Sequence, residues 1–251
     1  MLTPSNLVKS VLYLKLFNDA FAEEAYDALL AGLGYSAYAA KDMLRLIISG
    51  YNDKSLILLE LILKRMKDFV IKPERFKVVK DRLKRNYDNM KLNRPSSLAA
   101  SYNYQLFNEK YYSPEVKSTT LEEIGMEQVQ IFFPELFQQF FIESFVFGNM
   151  EKEDVKEMVK IVQDLFKPKV LEKSRMVKSR NVRLPKGKKY IYQNHVFDKD
   201  ELNGAILYQL QCGDNKDRFV MTRLKIISQI LKEPIFDHLR TKEQLGEITI
   251  V

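Results

Sequence analysis

Residues 35–50 read YSAYAAKDMLRLIISG, and their rhythm decides the fold class. Tyr35, Ala37 and Ala39 alternate with small polar or aromatic neighbours, and Leu44, Leu46 and Ile48 alternate again after a break at Lys41 and Asp42. Period-two patterning on both sides of a short polar break predicts a β-hairpin. The stretch before it has a different period. Leu7, Val11, Leu14, Phe17, Phe21, Ala25 and Leu29 fall at helical spacing, with Ser5 as a candidate cap and Gly32 and Gly34 to stop the helix. After the hairpin, Gly50-Tyr51-Asn52-Asp53 ends the second strand and opens a helix to about Asp68, with Asp53 as its cap. Helix, hairpin, helix is the pattern of an α/β layer.

Further along, the helical reading continues. Leu56, Ile57, Leu59, Leu61, Ile62 and Leu63 make the second helix apolar nearly all round, which predicts burial between layers. Pro73 suits the first turn of a charged helix to about Leu92, and Asn93 to Ser97 breaks it. Another helix is expected from Leu98 to Glu109, and Thr120-Leu121-Glu122-Glu123 has the spacing of a capping box that would start one more. Phe140 to Gly148 reads as a strand, and Glu151, Glu153 and Asp154 suit the start of a helix reaching Phe166. A basic connector follows, from Lys167 to Lys189. Strands are then expected at Val182–Leu184, Lys189–Gln193 and Asn203–Cys212, a long helix at Arg218–Arg240, and a strand from Gly246 to Val251. The restart predicts two related α/β domains, residues 1–177 and 178–251, each with helices on a mainly antiparallel sheet and the second truncated.

Composition narrows the function classes. Hydrophobic residues make up 46% of the 251, enough for real cores, so wholesale disorder is excluded. No apolar run approaches the ~18–20 residues of a membrane-spanning helix, and the N-terminus lacks the pattern of a secretory signal. With a single cysteine, Cys212, there is no internal disulfide, in keeping with a reducing, cytoplasmic setting. Cys212 itself reads as a small apolar strand residue. The net charge of +7 is concentrated: residues 178–251 carry 14 basic and 9 acidic side chains. The connector could hold an acidic chain, yet no motif for reading nucleic acid accompanies it, and a solvated link is the simpler expectation.

Catalytic chemistry is sparse. The two histidines, His195 and His238, stand in no metal-binding spacing, and with one cysteine a closed metal site would need scattered carboxylates. His195 reads as a surface residue and His238 as a cation near a helix C-terminus. The 9 glycines form no phosphate-binding loop and no nucleophile elbow. No catalytic residue and no metal ligand is expected in this chain.

Residues 234–246 read PIFDHLRTKEQLG. The eight residues Leu239 to Gly246 resemble a signature of insulysin-type peptidases of the pitrilysin family, Leu-Arg-Thr-Lys-Glu-Gln-Leu-Gly-Tyr. Residues 49–54 after the hairpin and Gly148-Asn149 after the Phe-rich stretch agree with it. The resemblance implies four homologous α/β domains in two halves that enclose a chamber, with zinc held by a His-x-x-Glu-His motif in the first domain. This chain would then hold most of the third domain and the start of the fourth, and would shape the chamber without binding the metal. The resemblance further implies peptide substrates, the N-terminal half of the same enzyme and polyanions as partners. It gives Arg240 a substrate-binding role. The family tyrosine is replaced by Glu247, also counted as substrate-binding. A tyrosine hydroxyl can donate to a substrate carbonyl, whereas a carboxylate only accepts. That replacement leaves a non-catalytic scaffold homologue as the alternative expectation.

Overall fold

The computed structural model describes residues 3–40, 43–176 and 180–246. In chain order the elements are α1 (Pro4–Leu30), β1 (Leu33–Ala39), β2 (Leu44–Gly50), α2 (Ser55–Lys67), α3 (Pro73–Asn89) and α4 (Pro95–Phe107). They continue with α5 (Pro114–Glu123), α6 (Met126–Leu136), β3 (Gln139–Phe140), α7 (Lys152–Phe166), β4 (Lys169–Val170) and α8 (Arg218–Phe236), which runs on into a π-helical turn, Asp237–Lys242. The chain divides into two compact units. One is Met1–Val182 with Tyr190–Leu207, and the other is Arg183–Lys189 with Tyr208–Val251.

The hairpin is as expected, with β1 and β2 antiparallel in a register that sets Tyr35 opposite Ile48 and Ala37 opposite Leu46. Its turn at Lys41 and Asp42 lies outside the described residues. Two glycines close its base. Gly32 has φ +80° and a Cβ there would sit 2.8 Å from the Tyr51 ring, while a Cβ on Gly50, at φ +125°, would meet the Gly32 carbonyl. Both conformation and space therefore require glycine.

Helix α1 runs through the middle of the first unit. Pro4 opens it, and Thr3 Oγ1, rather than Ser5, caps it by accepting from Asn6 N at 3.2 Å. Val8, Leu12, Tyr13, Leu16, Phe17 and Phe21 are buried and pack in one core with Leu33 and Ala37 of β1, Ile62 and Met66 of α2, Leu83 of α3, Leu121 of α5 and Phe133 of α6. Full burial of such side chains contributes about 1.5–3 kcal/mol each relative to exposure. Polar ties satisfy the helix ends that this core buries. Tyr13 Oη donates to the Met66 carbonyl at 2.6 Å. Gln130 does the work of a neighbouring strand, with Nε2 donating to Phe69 O and Oε1 accepting from Ile71 N. Lys67 Nζ donates to Leu165 O near the end of α7.

Several expectations are corrected. Asp53 does not cap α2, whose N-cap position is Lys54 without a side-chain bond. Thr120 to Glu123 do not start a helix but end α5; Ser113 and Pro114 begin it, and Thr120 Oγ1 donates back to Val116 O. The Phe-rich stretch is a strand only at Gln139–Phe140, which pairs in parallel with Lys169–Val170, and Phe145 and Phe147 are exposed. Residues 182–184, 189–193 and 203–212 carry no ladder; the nearest is an isolated antiparallel bridge, Asn108 with Asn181. Leu202, Ile206 and Tyr208 stand exposed, as does Cys212, which is no buried strand residue. Alternation reports a side chain's preferred environment, but a ladder also needs a second backbone. Gly246 is described, while the rest of the strand expected to Val251 is not. The class is α/β, with helices packed on small antiparallel and parallel sheets.

Candidate functional site

The second unit carries Arg240, the described residue to which the family resemblance assigns a substrate role. Asp217 caps α8 by accepting from Phe219 N and Val220 N. Pro234 within α8 supplies no amide donor, and two residues after it the helix passes into the wider π turn of Asp237–Lys242. Arg240 is exposed on that turn. Its Nη1 donates to the Gly246 carbonyl at 3.1 Å, and its guanidinium lies 5.8 Å from the centre of the Phe236 ring. No carboxylate pairs with it among the described residues; the acid of this turn, Asp237, holds Lys242 at 2.8 Å. Leu245 N bonds to Leu239 O, so residues 239–246 fold back on themselves and Arg240 braces the end of the loop. Glu247 lies outside the described residues.

Arg240 thus has donors left over. A guanidinium offers five N–H groups in a planar fork and one is committed here, so peptide carbonyls or carboxylates remain within its chemistry. The C-terminal position also lets its charge favour the helix end.

In the first unit two constellations stand out that sequence reasoning did not find. Ser118 Oγ donates to Asp88 Oδ1 at 2.6 Å, and Lys84 Nζ bridges Asp88 Oδ2 at 2.9 Å and Glu122 Oε1 at 3.0 Å. The Ser118 hydroxyl, then Lys84, hold the Asp88 carboxyl below the usual range, and Asp88 and Glu122 hold the Lys84 ammonium above its own. The base that Ser118 faces is a carboxylate held below its usual range and so a weak one, and the network serves to tie α3 to α5. The i,i+4 spacing of Lys84 and Asp88 was its only sequence signal. The other is a cleft of about 490 Å³ walled by Tyr13, Phe69, Phe133, Phe137 and Phe166. Phe137 and Phe166 stack there at 4.2 Å. Tyr13 comes from α1, Phe69 from the α2–α3 loop, Phe133 and Phe137 from the end of α6 and Phe166 from α7, so beyond the i,i+4 pair Phe133 and Phe137 spacing could not group them.

His195 and His238 are both exposed, as expected, and lie in different units. Among the described residues no three His, Cys, Asp or Glu side chains gather as a metal-binding group. The donor set does not fit zinc, which needs three or four converging ligands.

Comparison with known proteins supplies the class. Residues 1–120 match the domain described as the middle or third domain of peptidase M16, and residues 123–250 match the peptidase M16 inactive domain. The chain belongs to the M16 peptidase family, to which insulysin-type enzymes belong, and it corresponds to non-catalytic domains of that family. The match to the inactive domain bears out the reading of a portion without the zinc motif. Among its relatives are the insulin-degrading enzyme of Homo sapiens, 31% identical over 98% of this chain and 24% of that protein. The A-factor-processing enzyme of Saccharomyces cerevisiae is 31% identical over 97% of this chain and 24% of its own length. Insulin-degrading enzyme-like 2 of Arabidopsis thaliana is 31% identical over 98% of this chain and 26% of its length. The crystal structure of pitrilysin superposes with a TM-score of 0.58 at 16% identity, covering 66% of this chain and 18% of that one. The chain thus spans about a quarter of the length of the relatives it matches.

Proposed function

We propose that the whole protein is an insulysin-like zinc metalloendopeptidase that degrades peptides in the cytoplasm, and that this chain is part of its substrate-enclosing half. Zinc would be bound by the N-terminal half, this chain's partner in enclosing the substrate. The two domain units would meet near residues 177–178. The observation that carries the reading is the ordered match to two consecutive family domains together with the eight residues Leu239 to Gly246. Arg240, exposed and with spare donors, would grip the peptide backbone beside the metal. The basic side chains of the connector add a surface for polyanions; those described from Lys167 to Lys189 form no ion pair.

A second reading rests on Glu247. A carboxylate cannot donate to a substrate oxyanion, so a homologue that keeps the enclosure and loses the chemistry would serve as a scaffold. One pair of variants separates these readings. In the full-length protein Arg240→Ala is expected to lower kcat/KM by about 10²–10³, the scale for one lost oxyanion donor. Its Tm should be nearly unchanged, because an exposed helix-end charge contributes about 0.3–1 kcal/mol. Glu247→Tyr is expected to raise activity. Intact turnover with a lowered Tm in Arg240→Ala would make Arg240 a helix-end residue and remove the substrate role. Absence of any peptidase activity in both the parent and Glu247→Tyr would favour the scaffold.

A further inference from the structure

Asp237 and Lys242 are both exposed and form an ion pair at 2.8 Å, although they stand five positions apart. On an α-helix that spacing does not make neighbours, since side chains meet there three or four positions apart. An α-helical Asp237 would therefore face Arg240. The chain does not take that form. It follows the π turn of Asp237–Lys242, in which Glu243 N bonds to His238 O, five residues back. The wider turn brings position i+5 within reach of position i, so Asp237 pairs with Lys242 in place of Arg240.

Arg240 is left with neutral partners. Its Nη1 donates to Gly246 O at 3.1 Å, and its guanidinium lies 5.8 Å from the centre of the Phe236 ring. Neither contact neutralises its charge. Glu243, three residues after it, stands at the end of the turn and is in no ion pair among the described residues. A carboxylate on Arg240 would commit two parallel N–H donors at once. Those are the donors that a bound peptide would need.

On the reading that Arg240 grips substrate, we propose that Lys242 is its positioning residue, acting through Asp237. The π turn pairs the aspartate with the lysine and so holds it off the arginine. The guanidinium fork then stays open to a peptide carbonyl or carboxylate, steadied by Gly246 O and the Phe236 ring. Without Lys242 the nearest acid of the turn has no cation but Arg240 to turn to.

The test uses the full-length protein carrying Lys242→Met, Lys242→Arg, or Lys242→Met together with Asp237→Asn. Two quantities are read. Phenylglyoxal adds to open guanidinium groups, and site-resolved mass spectrometry follows its labelling of Arg240. Peptide hydrolysis gives kcat/KM. In Lys242→Met both are expected to fall about two- to fivefold, the scale of an exposed ion pair. Both should recover in Lys242→Arg, which keeps a cation for Asp237, and in the double variant, which removes the competing carboxylate. A loop merely loosened by the substitution would label faster, and Asp237→Asn would not cure it. Arg240 labelling that is unchanged or faster in Lys242→Met overturns the proposal, as does a loss that Asp237→Asn fails to restore. Arg240→Ala, run alongside, separates the two levels. Intact turnover in Arg240→Ala removes the substrate reading and the positioning role with it. A loss in Arg240→Ala beside full activity in Lys242→Met removes the positioning role alone.

Discussion

Tyr13 and Tyr87 show what burial asks of single residues. Burial pushes the Tyr87 hydroxyl up to about 12 and that of Tyr13 higher still, and it raises Tyr35 and Tyr102 in the same direction. The sign of the linkage follows. An unfolded tyrosine loses its proton near 10 while the folded one retains it, so above about pH 10 the unfolded chain binds fewer protons. Stability is then full below pH 10 and falls as pH rises toward the folded values, by at most about 1.4 kcal/mol per pH unit for each of Tyr13 and Tyr87 and by less for the more exposed Tyr35 and Tyr102, whose shifts solvent screens. Denaturant midpoints measured between neutral pH and about pH 11.5 should show this decline. Tyr13→Phe should cost about 1–3 kcal/mol at neutral pH, by leaving the Met66 carbonyl without its donor, and should make the alkaline decline shallower. An alkaline slope identical in the variant and the parent would show that Tyr13 is not desolvated in the folded state. The burial of Tyr13 was not readable in sequence. It falls between the helical positions Leu7, Val11 and Leu14 and is enclosed because α1 is covered on nearly every side.

Among the elements, α1, the β1–β2 hairpin, α3, α7 and α8 were legible because each depends on spacing along a few residues of its own chain. Pro73 at the start of α3 and the acidic start of α7, where Glu151 N donates to Asp154 Oδ2, are local devices of that kind. Strands after residue 140 were not legible, since pairing depends on residues distant in sequence. The connector illustrates the difference. Lys169 N bonds to Gln138 O, Arg180 O accepts from Glu109 N, and Val182 N bonds to Phe107 O, so parts of a segment that reads as a solvated link are held against other backbone. Lys186, Lys188 and Lys189 have no such ladder and are exposed around Gly187 at φ +73°. A protease needs an extended, unpaired segment, so limited trypsin digestion should cut first after Lys186, Lys188 or Lys189. Fragments sequenced from the earliest time points check this. A first cut after Lys169 or Arg180 would show that those pairings are weaker than the geometry implies.

For the whole molecule, the residues that mattered most for class were those of the loop Leu239–Gly246, where a run of eight carried more than composition or charge. The candidate site was only partly legible. Sequence picked out Arg240, but not that it turns one N–H onto Gly246 O from a π turn, because that turn arises where α8 passes beyond Pro234. No described helix is long and apolar enough to cross a membrane. The chain corresponds to non-catalytic domains of the M16 family, and on the proposed reading it shapes the enclosure and leaves the metal chemistry to another part. Elemental analysis of the purified 251-residue chain, with a peptide-hydrolysis assay on the same sample with and without chelator, tests it most directly. The account predicts no stoichiometric zinc and no chelator-sensitive cleavage. About one tightly held zinc per chain, together with hydrolysis abolished by chelator, would contradict it.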